Sequence, residues 1–169
     1  MDLKKIKSLA EEEKYEQALE ECNEYLKKFP DRKADILRVR AYTFSLLGNY
    51  ESALQDRKII FEIGESTIKD YYLAANNALS LGEYKQACIW LDEVLRIGKD
   101  QNETWFDSGA YFLLAYAQME LKCYKEAINN LNNAVCCDPN CAMPLPNLGL
   151  WKHDRLKQEI EYRTGRMNQ

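Results

Sequence analysis

The chain has 169 residues, 46% hydrophobic and 30% charged, with 7 glycines and 4 prolines. That composition suits one substantial core or a short repeat array, and it excludes a disordered or low-complexity chain. A net charge of −4 with both signs interspersed speaks against nucleic-acid binding, whose affinity rests on a basic surface that neutralises phosphates.

Residues 1–7 carry lysines with no apolar stretch behind them, which is not the pattern of a signal peptide. No segment approaches the roughly 20 apolar residues of a membrane span. The sequence therefore predicts a cytoplasmic protein without a membrane partner, whose six cysteines are thiols in a reducing compartment.

In chain order, four segments repeat one pattern: a tyrosine, two polar residues, an alanine, then an amphipathic run. They begin at Tyr15 with Ala18, Tyr50 with Ala53, Tyr84 with Ala87, and Tyr124 with Ala127, and the tyrosines are spaced by 35, 34 and 40 residues. A second helical run precedes each one, as in residues 35–47 and 71–81, so each unit reads as two antiparallel helices joined by a tight turn. Gly48 and Gly82 stand two residues before their tyrosines, where a helix end needs a positive φ. Glu13 and Lys122 hold the same place without a glycine, so those turns must take the shape at some cost. The alanine is the small residue that lets two helix backbones approach. The tyrosine ring covers the turn, and neighbouring pairs stack because one pair cannot bury its apolar face alone.

The 40-residue spacing implies about six extra residues between Ile97 and Gly109. Either the connecting loop is longer, or the next helix starts early, near residues 102–104. The early start is the more attractive, because it places Trp105 and Phe106 on helix. After Pro139 the pattern breaks at Met143, Pro144, Leu145 and Pro146. Leu145, Leu148, Trp151, Leu156 and Ile160 then share one face at helical spacing, which predicts a capping helix over residues 146–163. Residues 165–169 are expected to fray.

The period and markers resemble the tetratricopeptide repeat (TPR) family, whose unit is 34 residues. The resemblance covers residues 1–141 and is fullest at Tyr111, Leu114, Ala115, Tyr124, Ala127, Leu131, Ala134 and Pro139. The first copy contributes Tyr15, Ala18 and Pro30, while Leu37, Tyr71 or Tyr111 replaces the family's tryptophan. It implies an all-α fold: a right-handed α-solenoid of about four TPR-like helix–turn–helix hairpins plus a C-terminal capping helix. The expected units are about 1–32, 33–66, 67–100 and 101–141, with the cap and frayed tail in 142–169.

In such arrays the first helix of each unit lines a concave groove. The resemblance places there Asp35, Arg38, Tyr42 and Ser45; then Lys69, Tyr72, Asn76 and Leu79; then Gly109, Phe112, Tyr116 and Met119. The candidate partner-binding residues are Arg38, Tyr42, Ser45, Lys69, Tyr72, Asn76, Phe112, Tyr116 and Met119. A face of this kind suits a partner peptide or helix anchored by aromatics. The alternative for Tyr72, Phe112 and Tyr116 is core packing, against the next helix pair or against the C-terminal segment folding back. The family's carboxylate clamp for a chaperone C-terminal tail is not kept. One register holds Leu3, Lys7, Val39, Lys69 and Leu73; the other holds Arg38, Tyr42, Leu73, Gly109 and Leu113.

Cys136, Cys137 and Cys141 form the one cysteine cluster. It lacks paired zinc-ligand spacing, so no metal and no cofactor is expected. One of Cys136 and Cys137 should face the core and the other solvent, while Cys22 and Cys88 should be small core residues. A single histidine, no nucleophile–base arrangement and no phosphate-binding glycine loop speak against an enzyme. The expected function is a non-catalytic interaction module, an adaptor or scaffold that binds another protein. The alternatives are an inhibitor or immunity-type protein masking a toxin or enzyme, and a structural subunit of a larger or self-associated assembly.

Overall fold

The computed structural model describes residues 3–145 and 149–167. Helix follows helix: α1 Leu3–Glu11, α2 Tyr15–Lys28, α3 Lys33–Leu46, α4 Tyr50–Glu62, α5 Ile68–Ser80, α6 Tyr84–Gln101, α7 Asp107–Glu120 and α8 Tyr124–Cys137. A two-stranded antiparallel hairpin comes next, β1 Ala142–Leu145 and β2 Gly149–Lys152, pairing Ala142 with Lys152 and Leu145 with Gly149. Helix α9, His153–Met167, ends the described chain. Among the described residues no helix is long and apolar enough to cross a membrane.

Every marker tyrosine opens a helix because the turn before it has one fixed form. Glu13, Gly48, Gly82 and Lys122 all take positive φ, 62°, 77°, 75° and 64°. At each, the following N–H reaches five residues back: Lys14 to Leu9, Asn49 to Phe44, Glu83 to Ala78 and Cys123 to Gln118, at 2.8–2.9 Å. The positive-φ residue's own N–H bonds three back, Glu13 to Ala10 and Lys122 to Met119 among them. This pair of bonds is the Schellman motif, which satisfies carbonyls that a helix end otherwise leaves bare. Asn49 also caps α4, its side chain accepting from the Ser52 N–H at 3.1 Å.

The chain forms two compact units, Met1–Asp70 and Tyr71–Gln169. In the first, Ile6, Ala10, Ala18, Cys22 and Ile36 make a buried cluster, flanked by Leu3, Leu9, Tyr25, Leu26, Val39 and Tyr42. Beside it lies a buried ionic set. Arg40 binds Asp56 through two bonds of 2.6 and 2.8 Å, and Asp70 accepts from Arg38 at 3.0 Å. Arg57, 1% exposed, reaches Asp70 at 3.5 Å.

In the second unit, α7 packs between α6 and α8, and β1 and α9 also touch it. Residues 112–117 of α7 are all buried, so this helix is covered all round and carries no polar face. The marker alanines Ala18, Ala53, Ala87 and Ala127 are fully buried, at 0% exposure.

Five expectations need correction. The extra residues neither lengthen a loop nor start α7 early; they extend α6 to Gln101, where Asn102 ends it in left-handed conformation. Trp105 therefore sits in the turn, 87% exposed. The capping helix starts at His153 rather than at 146, because residues 149–152 pair with β1 instead. Leu145 and Trp151 of the expected helical stripe are strand residues, Leu156 and Ile160 lie on α9, and all four are buried; Leu148 lies outside the described residues. Helix α9 continues through Gly165 to Met167 where fraying was expected, and residues 168 and 169 are outside the description. Cys136 and Cys137 are both exposed, and Cys141 is the buried member of that cluster. Cys88 is half-buried rather than core.

Candidate protein-binding faces

In the first unit, Asp35, Arg38, Tyr42 and Ser45 fall on one face of α3 by helical spacing. Arg38 is already engaged there. Its guanidinium bridges Asp35 and Asp70 at 3.3 and 3.0 Å and donates to the Glu65 carbonyl. Ser45 donates to its own helix, to the Ala41 carbonyl at 2.9 Å. Tyr42 is half-buried, with the Lys7 ammonium 5.5 Å from its ring centre, within cation–π range. Lys69 is exposed on the first turn of α5.

Thr67 and Asp70 fix the start of α5. The Thr67 N–H bonds Asp70 Oδ2 at 3.0 Å, and the Asp70 N–H returns to the Thr67 hydroxyl at 3.3 Å. This reciprocal pair is a capping box. Asp70 thus caps a helix with one oxygen and receives arginines with both.

In the second unit the tyrosines are packed. Tyr72 is half-buried against Phe106, ring centres 5.0 Å apart, and burial pushes its hydroxyl up to about 12. The Asn76 amide donates to the Tyr72 carbonyl at 3.0 Å. Phe112 and Met119 are 0% exposed and Tyr116 is 4% exposed, so these three are core residues and not an open groove lining. Tyr116 meets Tyr84 edge-on at 6.1 Å and lies near Arg163 of α9. Arg163 itself pairs with Glu120 at 3.0 Å. Of the two alternatives for Tyr72, Phe112 and Tyr116, packing inside the unit is what the structure contains.

The β-hairpin was missed by sequence reasoning. A signal existed: two short apolar runs flank Pro146 and Asn147, the composition of a turn between strands, but the helical spacing of Leu145, Trp151, Leu156 and Ile160 drew the reading toward helix. The lengthened α6 was missed as well. It leaves a cleft of about 440 Å³ lined by Arg96, Lys99, Asn102, Thr104, Asp107 and Tyr111 with Leu95 and Gly98. Burial raises the Asp107 carboxyl there above its usual range. Among the described residues, no three histidine, cysteine, aspartate or glutamate side chains are grouped to hold a metal.

Antiparallel helix pairs closed by left-handed turns, with a buried alanine in each pair, give a predominantly helical, tetratricopeptide-like fold. Solved structures of MamA share this fold. MamA 41-end from Desulfovibrio magneticus RS-1 aligns over 96% of this chain and 84% of its own, with a TM-score of 0.79 and 18% identity. A MamA RS-1 double mutant aligns over 81% and 74%, with a TM-score of 0.71 and 20% identity. MamA AMB-1 aligns over 98% and 80%, with a TM-score of 0.71 and 16% identity. At these identities the likeness shows the fold alone. No protein-family model matches the chain, and no curated protein matches it.

Proposed function

We propose that this chain is a non-catalytic protein-interaction module that holds a peptide or helix of a partner protein. One observation carries the reading: in the second unit two later stretches of the chain, β1 and α9, already lie against α7. A helix face that seats a strand and a helix from its own chain has the shape and apolarity to seat such elements from another. In the first unit the half-buried Tyr42 of α3 and the exposed Lys69 of α5 are accessible to a partner, and in the second unit, separately, so is the half-buried Asn76 of α5. Arg38 serves as a positioning residue, since its donors are committed to Asp35, Asp70 and Glu65. The partner is a protein, and the module works without cofactor.

The test is a peptide-display selection against the wild-type chain, followed by binding to Tyr42→Ala and Asn76→Ala. The expected result is a set of enriched peptides whose affinity falls at least about ten-fold, roughly 1.4 kcal/mol, in one or both variants while circular dichroism stays helical. Enrichment of nothing defeats the reading.

A further inference from the structure

We propose that the α7 face under β1 is a receptor for an extended apolar peptide, and that the chain's own hairpin occupies it as a displaceable pseudo-ligand. This rests on the interaction-module reading and names the kind of partner. Helix α7 is touched by α6, α8, β1 and α9, and its residues 112–117 are buried in one unbroken run. Two helices cannot cover every side of a third, so the hairpin and α9 complete the cover. The hairpin enters at Cys141, 4% exposed. It then presses Leu145, 3% exposed, and Trp151, 6% exposed, inward.

The two parts of this cover are held differently. Helix α9 is anchored by Leu156 and Ile160, both 0% exposed, and by Arg163 on Glu120 at 3.0 Å. The hairpin has two strands of four residues, a size marginal on its own in water. Pro144 contributes no N–H to the ladder, and Leu150 on β2 is 65% exposed. The hairpin can therefore leave while α9 stays as the cap. What it vacates is an apolar strip sized for a strand, and an extended apolar segment like Ala142–Leu145 is the chemistry that refills it.

The experiment uses full-length wild type, full-length Leu145→Asp and a fluorescent synthetic peptide of residues 141–152. A buried aspartate at 145 expels the hairpin, so Leu145→Asp should bind the peptide at least about ten-fold more tightly than wild type. In wild type, amide exchange should be at least about ten-fold faster across residues 142–145 and 149–152 than in the buried turns of α7 and α8. Equal peptide affinity in a still-helical Leu145→Asp overturns the proposal. Should that variant unfold, the wild-type exchange decides: hairpin amides as slow as those of α8 make the hairpin fixed core and overturn it equally. Display-selected peptides that bind wild type and Leu145→Asp alike sink this inference and leave the module reading standing. A selection that enriches nothing sinks the module reading.

Discussion

Arg57 and Asp70 meet at 3.5 Å with side chains only 2% and 3% exposed. Two charges taken this far out of water are costly, and their attraction offsets that cost only while both are present. Arg57 is incompletely served: its Nε has no hydrogen-bond partner among the described residues, and burial pushes its guanidinium down to about 10 despite the nearby Asp70 and Asp56. Asp70 is the better-connected partner, bonded to Arg38 and Thr67 as well. Asp70→Asn should therefore cost about 3–5 kcal/mol, the usual effect of leaving a buried charge unpaired. Arg38→Met, at a side chain 27% exposed, should cost clearly less. Urea unfolding of the two variants at pH 7 checks the order, and equal costs would show that the loss of the Asp70 charge does not leave Arg57 unpaired.

The four left-handed turns give a backbone prediction free of packing effects. Nothing lies within 4 Å of a Cβ built on Gly48 or Gly82, so an alanine there meets only the strain of positive φ, about 1–2 kcal/mol. Gly48→Ala and Gly82→Ala should each destabilise by about 1 kcal/mol, after the entropy gained in the unfolded chain is subtracted. Glu13→Gly and Lys122→Gly should stabilise by a similar amount, since both residues already carry φ above 60°. Thermal melts of the four single variants test the sign, and a destabilised Lys122→Gly would mean that its side chain contributes more than its backbone loses.

Much of the helical frame was legible because it is periodic and local. The tyrosine spacing and the residues two places before each tyrosine mark the turns, and Schellman geometry depends on little beyond five or six consecutive residues. The binding face was far less legible. Helical spacing puts Phe112, Tyr116 and Met119 on the same kind of face as Tyr42, yet they are 0–4% exposed because a distant strand and α9 cover α7. Such cover is set by tertiary contact, which no periodicity within α7 records. The engagement of Arg38 was hidden for a related reason, since its partner Asp70 is 32 residues away. Phe112→Ala should consequently cost about 3–5 kcal/mol of stability, and circular dichroism melts read that as a core loss.

The lengthened α6 makes a spectroscopic prediction. Trp90 and Trp151 are 7% and 6% exposed, while Trp105 is 87% exposed in the turn that follows α6. An exposed side chain at such a place contributes little to folding, so Trp105→Phe should change stability by less than about 0.5 kcal/mol. The same substitution should abolish most iodide quenching of the folded protein's tryptophan emission and shift the remaining spectrum to the blue. Persistent quenching in Trp105→Phe would place one of the other tryptophans in contact with solvent.

Cys22 makes the first unit's stability depend on alkaline pH. Its thiol is 0% exposed, and burial raises it from 9.0 to about 12 because the thiolate is poorly solvated there. The folded state thus holds this proton more tightly than the unfolded state. Stability from that difference is fully present below pH 9 and is lost progressively as pH rises toward 12. By pH 10.5 the loss from this group reaches about 2 kcal/mol, at about 1.4 kcal/mol per unit of pH above the unfolded value. Cys22→Ala removes the titrating group at the expense of some packing, about 1–2 kcal/mol at pH 7. Its deficit relative to wild type should shrink to nothing or reverse at pH 10.5 in paired urea titrations. A deficit that stays constant between the two pH values would mean that Cys22 ionises as readily in the folded chain as in the unfolded one.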